Sequence, residues 1–166
     1  VIAVLRKEWR TLPCSERVDE ILTSWSGTPY MALQARKGRG GGIDCVRFVC
    51  CAADELYGFS RGPVESLPPD QALHDRKGAI EAMRAICRRY EPLDDATESA
   101  YIEPGDIFVV GPIGGGPGHA MIVGGYRGHI WECLQDGGVR RSGMPLLGEH
   151  TELFRIYRVK DKHLWS

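Results

Sequence analysis

No stretch of this chain approaches the roughly 20 consecutive apolar residues that a membrane-spanning helix requires. The opening Val1-Ile2-Ala3-Val4-Leu5 runs into Arg6-Lys7-Glu8, too early for the apolar core of a secretory signal. No export signal is therefore expected in the chain itself, and the compartment stays open. An excess of one charge is also missing, since 21 Lys and Arg face 22 Asp and Glu. The electrostatic footprint of a general nucleic-acid binder is accordingly absent. There is no Cys-x-x-Cys knuckle, so neither a structural zinc site nor any other metal or cofactor is expected. The six cysteines, Cys14, Cys45, Cys50, Cys51, Cys87 and Cys133, lack the regular spacing of a disulfide scaffold. Most read as small buried apolar groups in a reduced compartment. Internal repeats and long low-complexity tracts are missing too.

What remains is 166 residues, 43% of them hydrophobic and 26% charged, which is the profile of one globular domain over 1–166 with enough chain to bury a core. Ser15 to Trp25 carries apolar residues at Val18, Ile21, Leu22 and Trp25, the spacing of an amphipathic helix with Ser15 as its N-cap. Gly27-Thr28-Pro29-Tyr30 ends it. The dense glycines of Lys37 to Gly42 predict a loop. Asp44 then caps a second helix from Cys45 to Tyr57, with Val46, Val49, Cys50, Ala53, Leu56 and Tyr57 on its apolar face and Gly58 as its stop. A third helix is expected over Gln71 to Tyr90, within a helical insertion spanning 58–101. Beyond Pro104 the period becomes extended, predicting strands at Asp106 to Val110, His119 to Gly125, His129 to Leu134 and Leu153 to Val159. Helices followed by an antiparallel meander make an α+β arrangement.

The chemistry concentrates at Cys45. It occupies the first turn of its helix, behind Asp44 and three glycines, where the partial positive charge of the helix start favours a thiolate and the glycines admit a substrate backbone. Cys50 and Cys51 lie deeper in the helix and read as packing residues. A catalytic thiol needs a base, usually histidine, and a third group to hold the imidazole. Of His74, His119, His129, His150 and His163, His119 is the best placed, at a strand mouth behind Gly114-Gly115-Gly116-Pro117-Gly118. Neither glycine-rich stretch has the Gly-Lys-Ser/Thr step or the strand-to-helix setting of a phosphate-binding loop.

These motifs, in this order, resemble the NlpC/P60 cysteine peptidases, a papain-like family that acts on bacterial cell-wall peptides. The resemblance rests on Gly27-Thr28-Pro29-Tyr30, Gly40-Gly41-Gly42, Ile43-Asp44-Cys45-Val46-Arg47-Phe48-Val49, Pro104-Gly105-Asp106-Ile107 and Gly118-His119-Ala120-Met121-Ile122-Val123. It covers about residues 15 to 135. It implies a cysteine-bearing helix packed on an antiparallel sheet that carries the histidine, and a substrate side formed by Tyr30, Asp44, Val46 and Arg47. The family's Ser-Gly after the cysteine is Val46-Arg47 here, so the substrate departs from the usual pattern more readily than the mechanism does. The implied activity is amide hydrolysis in peptidoglycan peptides or a related peptide, through an acyl-enzyme on Cys45 with His119 as base. A phage-tail or secretion-system partner would suit such a domain. A thiol acyltransferase, a lipid or thioester hydrolase, and a non-catalytic binding relic of the fold are the competing readings.

The third catalytic residue is expected on the strand after His119, with Glu132 favoured and His129 and Gln135 as the alternatives. If Gly125 and Gly128 close a two-residue hairpin, opposed residue numbers sum to 253 (125 + 128). Alternation then puts Ile130, Glu132 and Leu134 on the face of His119. A three-residue loop would shift the register by one and present His129 and Gln135 instead.

Overall fold

Helix α2, Cys45–Tyr57, is the element around which the chain is arranged. Asp44 opens it in an extended conformation and accepts a hydrogen bond from the Arg47 N–H at 2.9 Å, the usual way to satisfy an orphan donor of the first turn. Gly58 closes it with φ +70°, a left-handed conformation that glycine adopts without a Cβ penalty. Both ends fall where the sequence predicts them. All of its residues except Glu55 are buried, so the helix is enclosed and not merely laid on a surface.

The computed structural model describes residues 8–9, 13–58, 90–92, 101–114, 118–126, 129–143 and 151–159. Helix α1, Ser15–Ser24, buries Val18 and Leu22. Its N-cap is Cys14, whose carbonyl accepts from the Val18 N–H at 3.0 Å; Ser15 already lies inside the first turn and is buried. The cap thus sits one residue earlier than the serine suggests, and no side-chain bond supports it. Two short strands, β2 (Ala35–Arg36) and β3 (Gly42–Ile43), pair antiparallel just ahead of α2.

The main sheet has six strands: β4 (Tyr90–Pro92), β6 (Ile107–Pro112), β7 (His119–Val123), β8 (His129–Leu134), β9 (Gly138–Gly143) and β10 (Thr151–Val159). Strands β6 to β9 form an antiparallel meander. The chain then returns to the opposite edge, where β10 pairs with β6 and with β4, giving the order β4-β10-β6-β7-β8-β9. A separate parallel pair joins β1 (Glu8–Trp9) to β5 (Tyr101–Ile102). The architecture is α+β, with two helices and an antiparallel sheet among the described residues. Tyr90, expected to end a helix, instead begins β4; the rest of that expected helix lies outside the described residues. None of the described helices is long and apolar enough to cross a membrane.

Alternation sorts the sheet into two faces. Val109, Ala120, Ile122, Trp131 and Cys133 join the buried residues of α2 and α1 in one core. Phe108, Val110, Met121, Val123, Ile130 and Ile156 form a second core with Ile102 on the other face. At the entrance to β6, the Pro104-Gly105-Asp106 step is structural. Asp106 is buried, accepts from the Glu103 N–H at 2.9 Å, and takes Arg158 Nε and Nη2 at 2.9 and 2.8 Å. Burial pushes this carboxyl up, against the pull of Arg158. The pair ties the start of β6 to β10.

Candidate active site

Strand β3 delivers Cys45 to its place. The Ile43 N–H donates to the Pro29 carbonyl and the Ile43 carbonyl accepts from the Met31 N–H, each at 3.0 Å. These bonds put Tyr30 alongside Ile43 in an isolated parallel bridge. Gly42 is required here, because a Cβ would meet the Met31 Cβ at 2.5 Å. Asp44 then turns the chain into the helix. Its Oδ1 takes the Arg47 N–H and its Oδ2 takes Arg47 Nη1 at 2.5 Å.

Both members of this ion pair have fully buried side chains, and Val46 is buried as well. Expected on the substrate side, Asp44, Val46 and Arg47 are packed beneath the helix start. Asp44 and Arg47 spend charge on each other, which makes them supports for the first turn. Cys45 is itself only 1% exposed and belongs to the main core. Tyr30 is half-buried.

The second group of residues assembles on the meander. The β7–β8 ladder pairs Ile122 with Trp131 and Val123 with Ile130, so opposed numbers sum to 253, the register of the two-residue expectation. Arg127 and Gly128 lie outside the described residues. Alternation in this register sends His119 and Glu132 to one face, and the two side chains meet: His119 Nε2 stands 3.0 Å from Glu132 Oε2. The contact occupies Nε2 and leaves Nδ1 as the nitrogen available to a substrate or nucleophile.

Glu132 has a second partner in Ser142 of β9, whose hydroxyl donates to Oε1 at 2.9 Å. The carboxyl is held below its ordinary value, first by the hydrogen bond with His119, with partial burial opposing and Ser142 assisting. His129 takes the other face. Its backbone N–H donates to the Tyr126 carbonyl at 3.1 Å, and its ring stands edge-on to Tyr126. Gln135 is exposed in the turn after β8.

The sequence candidates thus form two groups. Asp44, Cys45, Val46 and Arg47 make the helix start, while His119 and Glu132 make a pair on the strands. Among the described residues the His119 ring bonds to Glu132 and not to Cys45. A link between the groups runs through Cys133, whose Sγ donates to the Ile43 carbonyl at 3.2 Å. Cys133 follows Glu132, and Ile43 precedes Cys45 by two residues. Since α2 covers the face of Ala120 and Cys133 while His119 and Glu132 belong to the face of Met121 and Ile130, the two groups lie on opposite faces of the sheet, and the expected pairing of His119 with Cys45 is not formed.

Ser142 escaped the sequence reading. Gly138–Gly143 contains a single Val among glycines and charges, with no apolar alternation to mark a strand. The signal available was the Asp136-Gly137-Gly138 step after β8, which announces a turn back.

A scan against family models returned no match to this chain, and no curated protein matches it.

Proposed function

We propose that this chain is a papain-like thiol hydrolase of the NlpC/P60 kind. The observation that carries the reading is the His119–Glu132 contact, on neighbouring strands, with Nδ1 left over and a cysteine-headed helix anchored one residue beyond Glu132. A carboxylate on one ring nitrogen fixes the tautomer and supports the imidazolium that forms when the other nitrogen takes a proton.

In this reading His119 Nδ1 takes the Cys45 proton as Sγ attacks the amide carbonyl carbon. Reaction needs the two groups within hydrogen-bond reach in the substrate complex. Backbone N–H groups at the start of α2 stabilise the oxyanion. The C–N bond breaks as His119 returns the proton to the leaving amine, and water then hydrolyses the thioester, with His119 again as base. Asp44 and Arg47 keep the first turn rigid, and Tyr30 lines the approach.

The substrate class is an amide of cell-wall stem peptides or a related peptide, and a phage-tail or secretion-system partner would deliver such a domain to it. The deciding experiment digests purified muropeptides with the wild type and with Cys45→Ser and reads the products by mass. New amide-cleavage products with the wild type alone are expected. Equal products from both proteins, or none from either across peptide substrates, overturns the reading.

A further inference from the structure

Glu132 divides its two oxygens between two strands. Oε2 faces His119 on β7, and Oε1 accepts from Ser142 on β9. The β8–β9 ladder pairs Glu132 with Arg140 and Ile130 with Ser142, so Ser142 is a diagonal neighbour of Glu132 on the same face, and Arg140 stands directly opposite it.

Arg140 is exposed, and its charge acts on the Glu132 carboxyl. A carboxylate beside a guanidinium on the facing strand has a ready competitor for its attention, and a swing toward Arg140 would take Oε2 off the imidazole. The Ser142 hydroxyl opposes that swing. Donating to Oε1 while Oε2 meets His119 fixes the carboxylate plane at both ends, as outer partners of catalytic ligands do.

We propose that Ser142 is a positioning residue, which holds Glu132 on His119 and away from Arg140. Its effect on turnover rests on the hydrolase reading above; its effect on Glu132 does not.

The test compares the wild type with Ser142→Ala, Ser142→Thr and Ser142→Val, and with Ser142→Ala combined with Arg140→Gln. The Thr and Val variants share one shape and differ in the hydroxyl, so their contrast separates hydrogen bonding from packing. Two quantities are read: kcat and KM on the cleaved peptide, and the titration of the Glu132 carboxyl by NMR on carbon-13-labelled protein. Losing the bond in the Ala and Val variants should lower kcat by roughly tenfold, the scale of one hydrogen bond to a charged group, with KM little changed.

The Glu132 carboxyl should titrate higher in those variants. Thr should restore both readings, and Arg140→Gln should recover part of the kcat lost in Ser142→Ala. Unchanged kcat and unchanged Glu132 titration in Ser142→Val, measured against Ser142→Thr, overturn the proposal. A titration that moves and is rescued by Thr, in a protein that cleaves no peptide, upholds the positioning role and overturns the hydrolase reading instead.

Discussion

The Cys133 thiol donates to the carbonyl of Ile43 across 3.2 Å, and this contact sets where α2 begins relative to the strand that carries Glu132. It joins residues that are 90 positions apart in the chain. A slip of β8 by one residue would exchange Cys133 for Glu132 or Leu134 at this point, and would also turn Glu132 away from His119.

Alkylation should discriminate among the thiols. Iodoacetamide at neutral pH is expected to modify Cys45 ahead of Cys14, as read by peptide mapping. Cys14 is the more accessible of the two, but burial pushes its thiol up and the nearby Glu103 adds to the effect, so little of it is thiolate. Modification of Cys14 with Cys45 untouched would count against the nucleophile. Cys50→Ala and Cys51→Ala should each cost about 1 kcal/mol in denaturant titrations, as small buried groups do, and should leave turnover in place.

Glu132→Gln and His129→Ala should differ in kcat. The first removes the charge that supports an imidazolium, and a loss on the order of a hundredfold is expected, the scale at which general acid–base assistance operates. The second removes a ring on the opposite face and should leave kcat within about threefold of wild type, because its contacts lie away from His119. A large loss for His129→Ala with Glu132→Gln near wild type would reverse the assignment.

Much of this site is legible from residue spacing because its parts are local. Asp44, Cys45 and Gly58 announce the start and stop of α2 by capping chemistry alone, and the observed helix matches residue for residue. The Glu132 contact also follows from a short-range rule, since hairpin register and the period of two determine which side chains share a face. Other features depend on partners distant in sequence. Burial of Asp44 and Arg47 follows from the packing of α2 against the sheet, which no local pattern encodes. Ser142 sits on a strand held by cross-strand bonds rather than by apolar alternation, so nothing in its own neighbourhood marks it. The packing of the Ser15 carbonyl against the hairpin tip, where a Cβ on Gly125 would come within 2.0 Å of it, is likewise invisible to local pattern.

The buried pair at the helix start should be costly to break from either side. Asp44→Ala removes both the cap and the charge facing Arg47, and about 3 kcal/mol of stability should be lost, as for other buried pairs deprived of one member. Arg47→Met leaves the buried Asp44 carboxylate without its counter-charge and should cost a comparable amount. Urea midpoints at constant slope give the comparison, and a loss below about 1 kcal/mol for Asp44→Ala, the scale of an exposed pair, would contradict the buried geometry.

The depressed Glu132 carboxyl predicts a pH dependence of stability with a definite sign. A carboxyl held below its ordinary value binds its proton less readily when folded than when unfolded. The stability this provides is complete above the ordinary carboxylate range and is lost as pH falls through the depressed folded value. The difference in stability between wild type and Glu132→Gln should therefore be greatest at neutral pH and shrink on acidification. A difference that grows toward acid would reverse the sign and the contact with it.

Gly125 bears on how this protein would tolerate change. A Cβ on it would stand 2.0 Å from the Ser15 carbonyl oxygen, and its N–H donates to Asp19 at 3.3 Å, so the first two turns of α1 grip the hairpin tip like a clip. Tyr126, the next residue, is exposed. A library that randomises the tip should accept almost any side chain at position 126 and almost none at 125. An inserted residue that lifts the tip off α1 would be felt at the far end of the same two strands, where His119 and Glu132 keep their spacing.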